Sequence, residues 1–255
     1  MRHDQISPVP PLTPVTKAII LTCVVTYFVD FIFSHTPWGT INGLALNEIF
    51  GLVPARVMVD HWLWQFVTYI FFHGHPLHIL LNMLILWYFG SEIEQRLGKK
   101  EFTFYFFLCG IGAGVFNFLV ATMMSSDISA LRNPIIGASG AIFGILAAYG
   151  VFFGDRYFLV FFVFPMKAKY FVLVMAGIEL IMGVEANSSD NVAHFAHIGG
   201  MFVGAIYLYF RFVRGNLSRL TNRKDADRER LKRQFTLIVN DKEKKPDDEK
   251  GPYWN

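Results

Sequence analysis

Apolar stretches separated by short polar links dominate the chain. Six of them stand out: Ala18–Phe33, Ile79–Gly90, Phe102–Met124, Ile136–Phe153, Tyr170–Val184 and Phe195–Val213. A chain this apolar needs either an unusually large core or a lipid solvent, and each run is a candidate helix. A bilayer core of about 30 Å needs roughly 20 apolar residues per helix. The second, fourth and fifth runs are short against that length, which is tolerable where a helix end opens into a water-filled cavity inside the protein. The pattern predicts an all-α membrane protein with six spans. Between the first two runs lies a long segment, about Ser34 to Leu77, containing His61-Trp-Leu-Trp-Gln-Phe-Val-Thr-Tyr-Ile-Phe-Phe. Trp62, Trp64 and Tyr69 suit a membrane interface, and the segment is expected to form short helices in a partly embedded outer loop; an ordinary aromatic belt is the simpler alternative.

Composition supports this reading. Hydrophobic residues are 53% of the 255, charged residues 17%, and the mean hydropathy is +0.38. Soluble domains carry about 25% charged residues. The net charge of +3 describes no nucleic-acid face, because 13 of the 23 Lys and Arg lie from Arg211 onward. Cys23 and Cys109 sit singly in apolar runs and read as small buried hydrophobes rather than a disulfide or zinc framework. The polar start, Met1 to Thr16, lacks the features of a cleaved signal, so the first run is expected to be retained.

Lys and Arg also set a topology. With the N-terminus inside, the link after the second run (Arg96, Lys99, Lys100), the link after the fourth (Arg156, Lys167, Lys169) and the tail all fall inside. Only Arg56 and Arg132 fall outside. The expected organisation is a cytoplasmic segment 1–17, a six-helix membrane domain 18–213 and a charged tail 214–255. A helix over Arg219–Phe235 is expected in the tail, with disorder beyond it. The tail's basic residues suit contact with anionic lipid or simple solvation.

Three clusters carry candidate chemistry. The fourth run opens with Ile136-Gly-Ala-Ser-Gly-Ala-Ile-Phe-Gly, in which Ser139 is flanked by small residues. Taken alone, Gly-x-Ser-Gly favours helix packing over catalysis. The sixth opens with Ala193-His-Phe-Ala-His-Ile-Gly-Gly, and a histidine inside a span is costly and usually functional. Ala196, Gly200 and Gly204, four apart, form a small-residue face that can meet Gly140, Gly144 and Ala148 of the fourth run. Both runs begin at the outer side, which puts Ser139 and His197 at similar depth, as nucleophile and base. The third cluster, His73-Gly-His-Pro-Leu-His, precedes Asn82. His78 and Asn82 share a helix face and could donate to an oxyanion. A metal site built from His73, His75, His78, His194 and His197 is the rival. It is disfavoured because the sequence has no His-Glu-x-x-His and no adjacent carboxylate.

Together these motifs resemble the rhomboid intramembrane proteases over roughly Trp64 to Gly204. The likeness rests on Trp64–Thr68, with Gln65 where the family has Arg, on His78-x-x-x-Asn82 and on Glu94-Gln-Arg96-Leu-Gly98. It also rests on Gly137-x-Ser139-Gly140 and on Ala196-His197-x-x-Gly200-x-x-x-Gly204. The resemblance implies a rhomboid-like bundle and a serine endopeptidase using a Ser139–His197 dyad without an Asp. His78, Asn82 and the Ser139 backbone would form the oxyanion site, with Gly137, Gly140, Gly200 and Gly204 in support. Phe143, four after Ser139, would pack on the histidine ring. The implied substrates are single-span membrane proteins cut near the outer face, after a small residue. Cofactor, metal and nucleic acid are expected to play no part. The alternative is a relative that binds membrane clients without cutting them. His194 is read as a structural or supporting residue. Glu179, central in the fifth run, is expected to face protein, protonated or hydrogen-bonded. The expected location is a bacterial cytoplasmic membrane.

Overall fold

The computed structural model describes residues 10–36, 39–41, 43–124, 130–160, 163–185 and 191–214. The expected helix at Arg219–Phe235 and the rest of the tail lie outside these residues. The chain divides into two units, Met1–Tyr207 and Leu208–Asn255. In the second, the described residues form the last position of a helix and a π-type turn, Tyr209–Arg214.

Among the described residues the first unit is mostly helical, with one two-stranded hairpin. Helix α1 spans Pro14–Ser34, with proline at its start, where the missing N–H costs nothing. Three short helices follow in the loop: α2 Leu46–Phe50, α3 Pro54–Asp60 and α4 Gln65–Thr68, the last running into a 3-10 turn, Tyr69–Phe71. Helix α5, Pro76–Ile85, continues through a π-type turn, Leu86–Gly90, into α6, Ser91–Leu97. Helix α7 is Lys99–Met124, α8 Ser139–Phe153, α9 Ala168–Glu185 and α10 Asn191–Leu208.

Among the described residues, four helices are long and apolar enough to cross a membrane: Pro14–Ser34, Pro76–Leu97, Lys99–Met124 and His194–Phe212. Ser139–Phe153 is apolar but shorter, and α9 has 18 residues. The second span is longer than its apolar run implies. Hydropathy stops at Gly90 because Ser-Glu-Ile-Glu follows, yet Ser91, Glu92 and Glu94 are buried. The two carboxylates find partners, which is what allows their burial. Glu94 accepts from the backbone N–H of Val15 (3.0 Å) and Thr16 (2.8 Å) and from both Thr13 and Thr16 hydroxyls. A carboxylate from the middle of α6 thus caps the open N-terminus of α1. Glu92 pairs with Arg156.

Helix α8 is the centre. From Gly140 to Tyr149 every residue but Phe143 is buried, chiefly against α7 and then α9. An antiparallel hairpin, β1 Tyr157–Val160 with β2 Phe164–Lys167, joins α8 to α9, pairing Tyr157 with Lys167 and Phe158 with Met166. The sequence reading had only a link there. Outward, α1 and α9 present Leu21, Val25, Phe28, Leu173, Ile181 and Val184 to the surroundings, all more than half exposed. Apolar faces of that extent suit lipid, not water.

Candidate active site

The loop between α1 and α5 is fastened from within by Gln65, fully buried although polar. Its Oε1 accepts from Val53 N–H at 2.9 Å, and its Nε2 donates to the carbonyls of Glu48 (3.0 Å) and Ile49 (3.1 Å). Trp64 Nε1 also donates to the Ile49 carbonyl and the Thr68 hydroxyl to that of Phe50. Gln65 therefore supplies the tether that closes α2 onto α4. The loop is linked to the segment before Ser139 by paired bonds between Leu52 and Ile135, each 2.9 Å, and by Gly137 N–H to the Tyr69 carbonyl at 3.0 Å. At Gly137 φ is +131°, a conformation L side chains rarely adopt.

Immediately after this turn, Ser139 opens α8 as its first residue. Its N–H therefore belongs to the helix donors that have no intrahelical partner. Ser139 Oγ and His197 Nε2 are 2.7 Å apart. They come from residues 58 apart in sequence, and the small-residue faces of α8 and α10 bring them together. A Cβ on Gly200 would overlap the Gly140 carbonyl oxygen, and one on Gly204 would reach 3.2 Å from the Gly144 Cα. On the far side of α8, a Cβ on Gly140 would come within 2.5 Å of Ala113. Phe143 stacks on the His197 ring, centroids 4.4 Å apart and planes 11° from parallel.

The His78 ring flanks the serine: a Cβ built on Gly137 would lie 3.0 Å from His78 Nε2 and 3.6 Å from Ser139 Oγ. Asn82 is buried one turn on, with one N–H given to the His78 carbonyl at 3.0 Å. His75 caps α5 by accepting from His78 N–H at 3.1 Å. His73 is buried against His78, ring centroids 5.1 Å apart. Burial first, and then the neighbouring His78, push His73 down from 6.5 to about 4, against a raising contribution from the Phe71 carbonyl. It is neutral at ordinary pH.

The sequence singled out Glu179 as a carboxylate facing protein inside an apolar span, but did not name its partner. No carboxylate adjoins His197 along the chain, but Glu179 of α9 reaches it in space. Glu179 Oε2 lies 2.6 Å from His194 Nδ1 and 2.9 Å from His197 Nδ1. The second contact is close but off the line of a hydrogen bond, which leaves His197 Nδ1 without an aligned partner. The usable signal was a glutamate inside an apolar span. The Glu179, His194 and His197 ligand atoms all lie within 4.8 Å of one another and could hold a metal ion. Separations of 2.6 and 2.9 Å are hydrogen-bond lengths, shorter than the roughly 3.3 Å between ligands around tetrahedral zinc.

A protein-family model described as "Rhomboid domain" matches residues 60–214. The chain belongs to the rhomboid family. Rhomboid protein 1, mitochondrial, of Saccharomyces cerevisiae is 29% identical over 140 residues, 55% of this chain and 39% of the relative. Rhomboid protease GlpG of Salmonella typhi is 25% identical over 199 residues, covering 75% and 60%. Rhomboid protease GluP of Bacillus subtilis is 28% identical over 172 residues, covering 65% and 31%. The matches thus span between 31% and 60% of these three relatives' lengths. With its apolar helices, this rhomboid chain is an integral membrane protein.

Proposed function

We propose that this rhomboid protein is an intramembrane serine endopeptidase. The observation that carries the reading is the 2.7 Å approach of Ser139 Oγ to His197 Nε2, within the reach a nucleophile and its base require. His197 Nε2 takes the hydroxyl proton as Oγ attacks a peptide carbonyl. The resulting oxyanion is met by the Ser139 N–H at the start of α8, by His78 beside Gly137 and by Asn82. Collapse breaks the C–N bond as His197 Nε2 passes its proton to the leaving amine, and water, giving its proton to His197, then hydrolyses the acyl-enzyme. Relatives named as proteases support this chemistry.

Helix length supports a reaction below the membrane surface. The 15 residues of α8 make about 22 Å, short of a core of about 30 Å. Its inner end runs into exposed Asp155, which Lys169 holds at 2.7 Å. Ser139, at the other end, would then lie several ångströms beneath the outer face. The proposed frame has six spans, both termini cytoplasmic, a partly embedded outer loop and an inner bacterial membrane. The proposed substrates are single-span proteins whose helix unwinds near that face.

The test is labelling of purified protein with a fluorophosphonate, together with cleavage of a model transmembrane substrate, in wild type, Ser139→Ala and His197→Ala. Labelling and cleavage confined to the wild type support the protease. A folded wild type that binds the substrate but neither labels nor cuts would shift the reading to client binding.

A further inference from the structure

Helix α9 is apolar on almost every face: Ile178, Leu180, Ile181 and Met182, which surround Glu179 in sequence, are 41–58% exposed. Glu179 is turned the other way, its side chain 13% exposed. A carboxylate within a span is expensive unless it is partnered. Its partners are two histidines of α10, one helical turn apart.

His197 uses only one ring edge on Ser139. For Nε2 to accept the serine proton, Nε2 must be bare, so the ring proton must sit on Nδ1. That Nδ1 is buried and has no aligned acceptor; Glu179 Oε2, at 2.9 Å, faces it. Phe143 lies flat against the ring, which fixes the ring plane and aims the Nδ1 edge toward α9. His194 Nδ1 holds the same carboxylate oxygen at 2.6 Å, which keeps Glu179 from swinging away toward lipid.

We propose that Glu179 is the positioning acid of a Ser139–His197–Glu179 relay, with His194 anchoring the carboxylate. The proposal rests on the protease reading. As Oγ bonds to the carbonyl carbon, the Ser139 O–H bond breaks and its proton passes to Nε2. The Nδ1 proton stays where it is, and Glu179 remains a carboxylate throughout. It selects the Nδ1–H tautomer and offsets the charge of the imidazolium formed. A chain whose sequence motifs imply a two-residue dyad would then work with three.

The experiment compares wild type, Glu179→Gln, Glu179→Asp and His194→Ala as full-length protein in bilayers, cutting a model transmembrane substrate. A Gln amide can donate to Nδ1 and favour the wrong tautomer. The expected result is a kcat lower by about 10²- to 10⁴-fold, with KM within about twofold, partial recovery in Glu179→Asp and a smaller loss in His194→Ala. A folded Glu179→Gln with kcat close to wild type would overturn the relay. Should Glu179→Gln fail to fold, nitrogen-15 NMR of histidine-labelled wild type decides instead. A His197 with Nδ1 protonated and Nε2 bare supports the relay, and the opposite tautomer refutes it. An inactive, unlabelled wild type would instead sink the protease reading, whatever the tautomer.

Discussion

Helices α8 and α9 are neighbours of similar length and similar apolar composition, and they do opposite things. In α8, every residue from Gly140 to Tyr149 except Phe143 is buried. In α9, only Ala168 and Gly183 are buried among the described residues. The difference is one of side-chain size at the contacts. Gly140 and Gly144 let α7 and α10 approach α8 to near backbone contact, whereas α9 carries large residues outward. In a membrane, where lipid is as apolar as leucine, close packing of small residues is what distinguishes a protein neighbour from a lipid one. Helix α8 is therefore a fixed platform for Ser139. Helix α9 is a flank with one inward polar contact, the Glu179 carboxylate.

If the platform carries the chemistry, Ser139→Ala should produce the largest effect, a drop in kcat on the order of 10⁶-fold with an unchanged melting temperature. Substrate-cleavage kinetics and thermal unfolding check this together.

The next effect is on pH stability. His73 is held neutral by burial, its folded value about 4 against 6.5 when free. Because the folded state binds this proton less readily than the unfolded one, the stabilisation is complete above 6.5 and declines as pH falls toward 4. The loss across that window should approach roughly 3 kcal/mol. Unfolding measured between these pH values should show the decline, and His73→Gln should flatten it.

Gly200→Ala should cost about 1–3 kcal/mol by overpacking, since the new methyl meets the Gly140 carbonyl. Activity should fall with it, because that contact sets the depth of His197 against Ser139. A neutral Gly200→Ala would show that α10 can shift along α8 without consequence. The smallest effect belongs to the lipid side of α9: Leu173, 66% exposed, should tolerate Ala within about 0.5 kcal/mol and with unaltered kcat. A large loss there would mean that α9 packs against protein on that face.

Much of this was legible in sequence because it depends on local periodicity. The spacing of four among Gly140, Gly144, Gly200 and Gly204 puts small residues on single faces, and the meeting of those faces follows. The loop's short helices follow from aromatic and polar punctuation. Burial of Glu92 and Glu94 was not legible: hydropathy treats a carboxylate as a span terminator, whereas here Arg156 and the α1 N-terminus supply partners from 64 and 78 or more residues away. The hairpin Tyr157–Lys167 was also missed, since its residues are as apolar as those of the helices on either side.

Which helices are apolar and how Ser139, His78 and His197 are spaced within them can be read along the chain, because helix period and residue size are properties of each segment alone. What stands beside His197 emerges from packing alone. A helix apolar on all sides carries no rotational signal, so nothing along α9 says which way Glu179 turns. That orientation comes from α10, where His194 and His197 offer the sole polar contacts recorded for the carboxylate among the described residues.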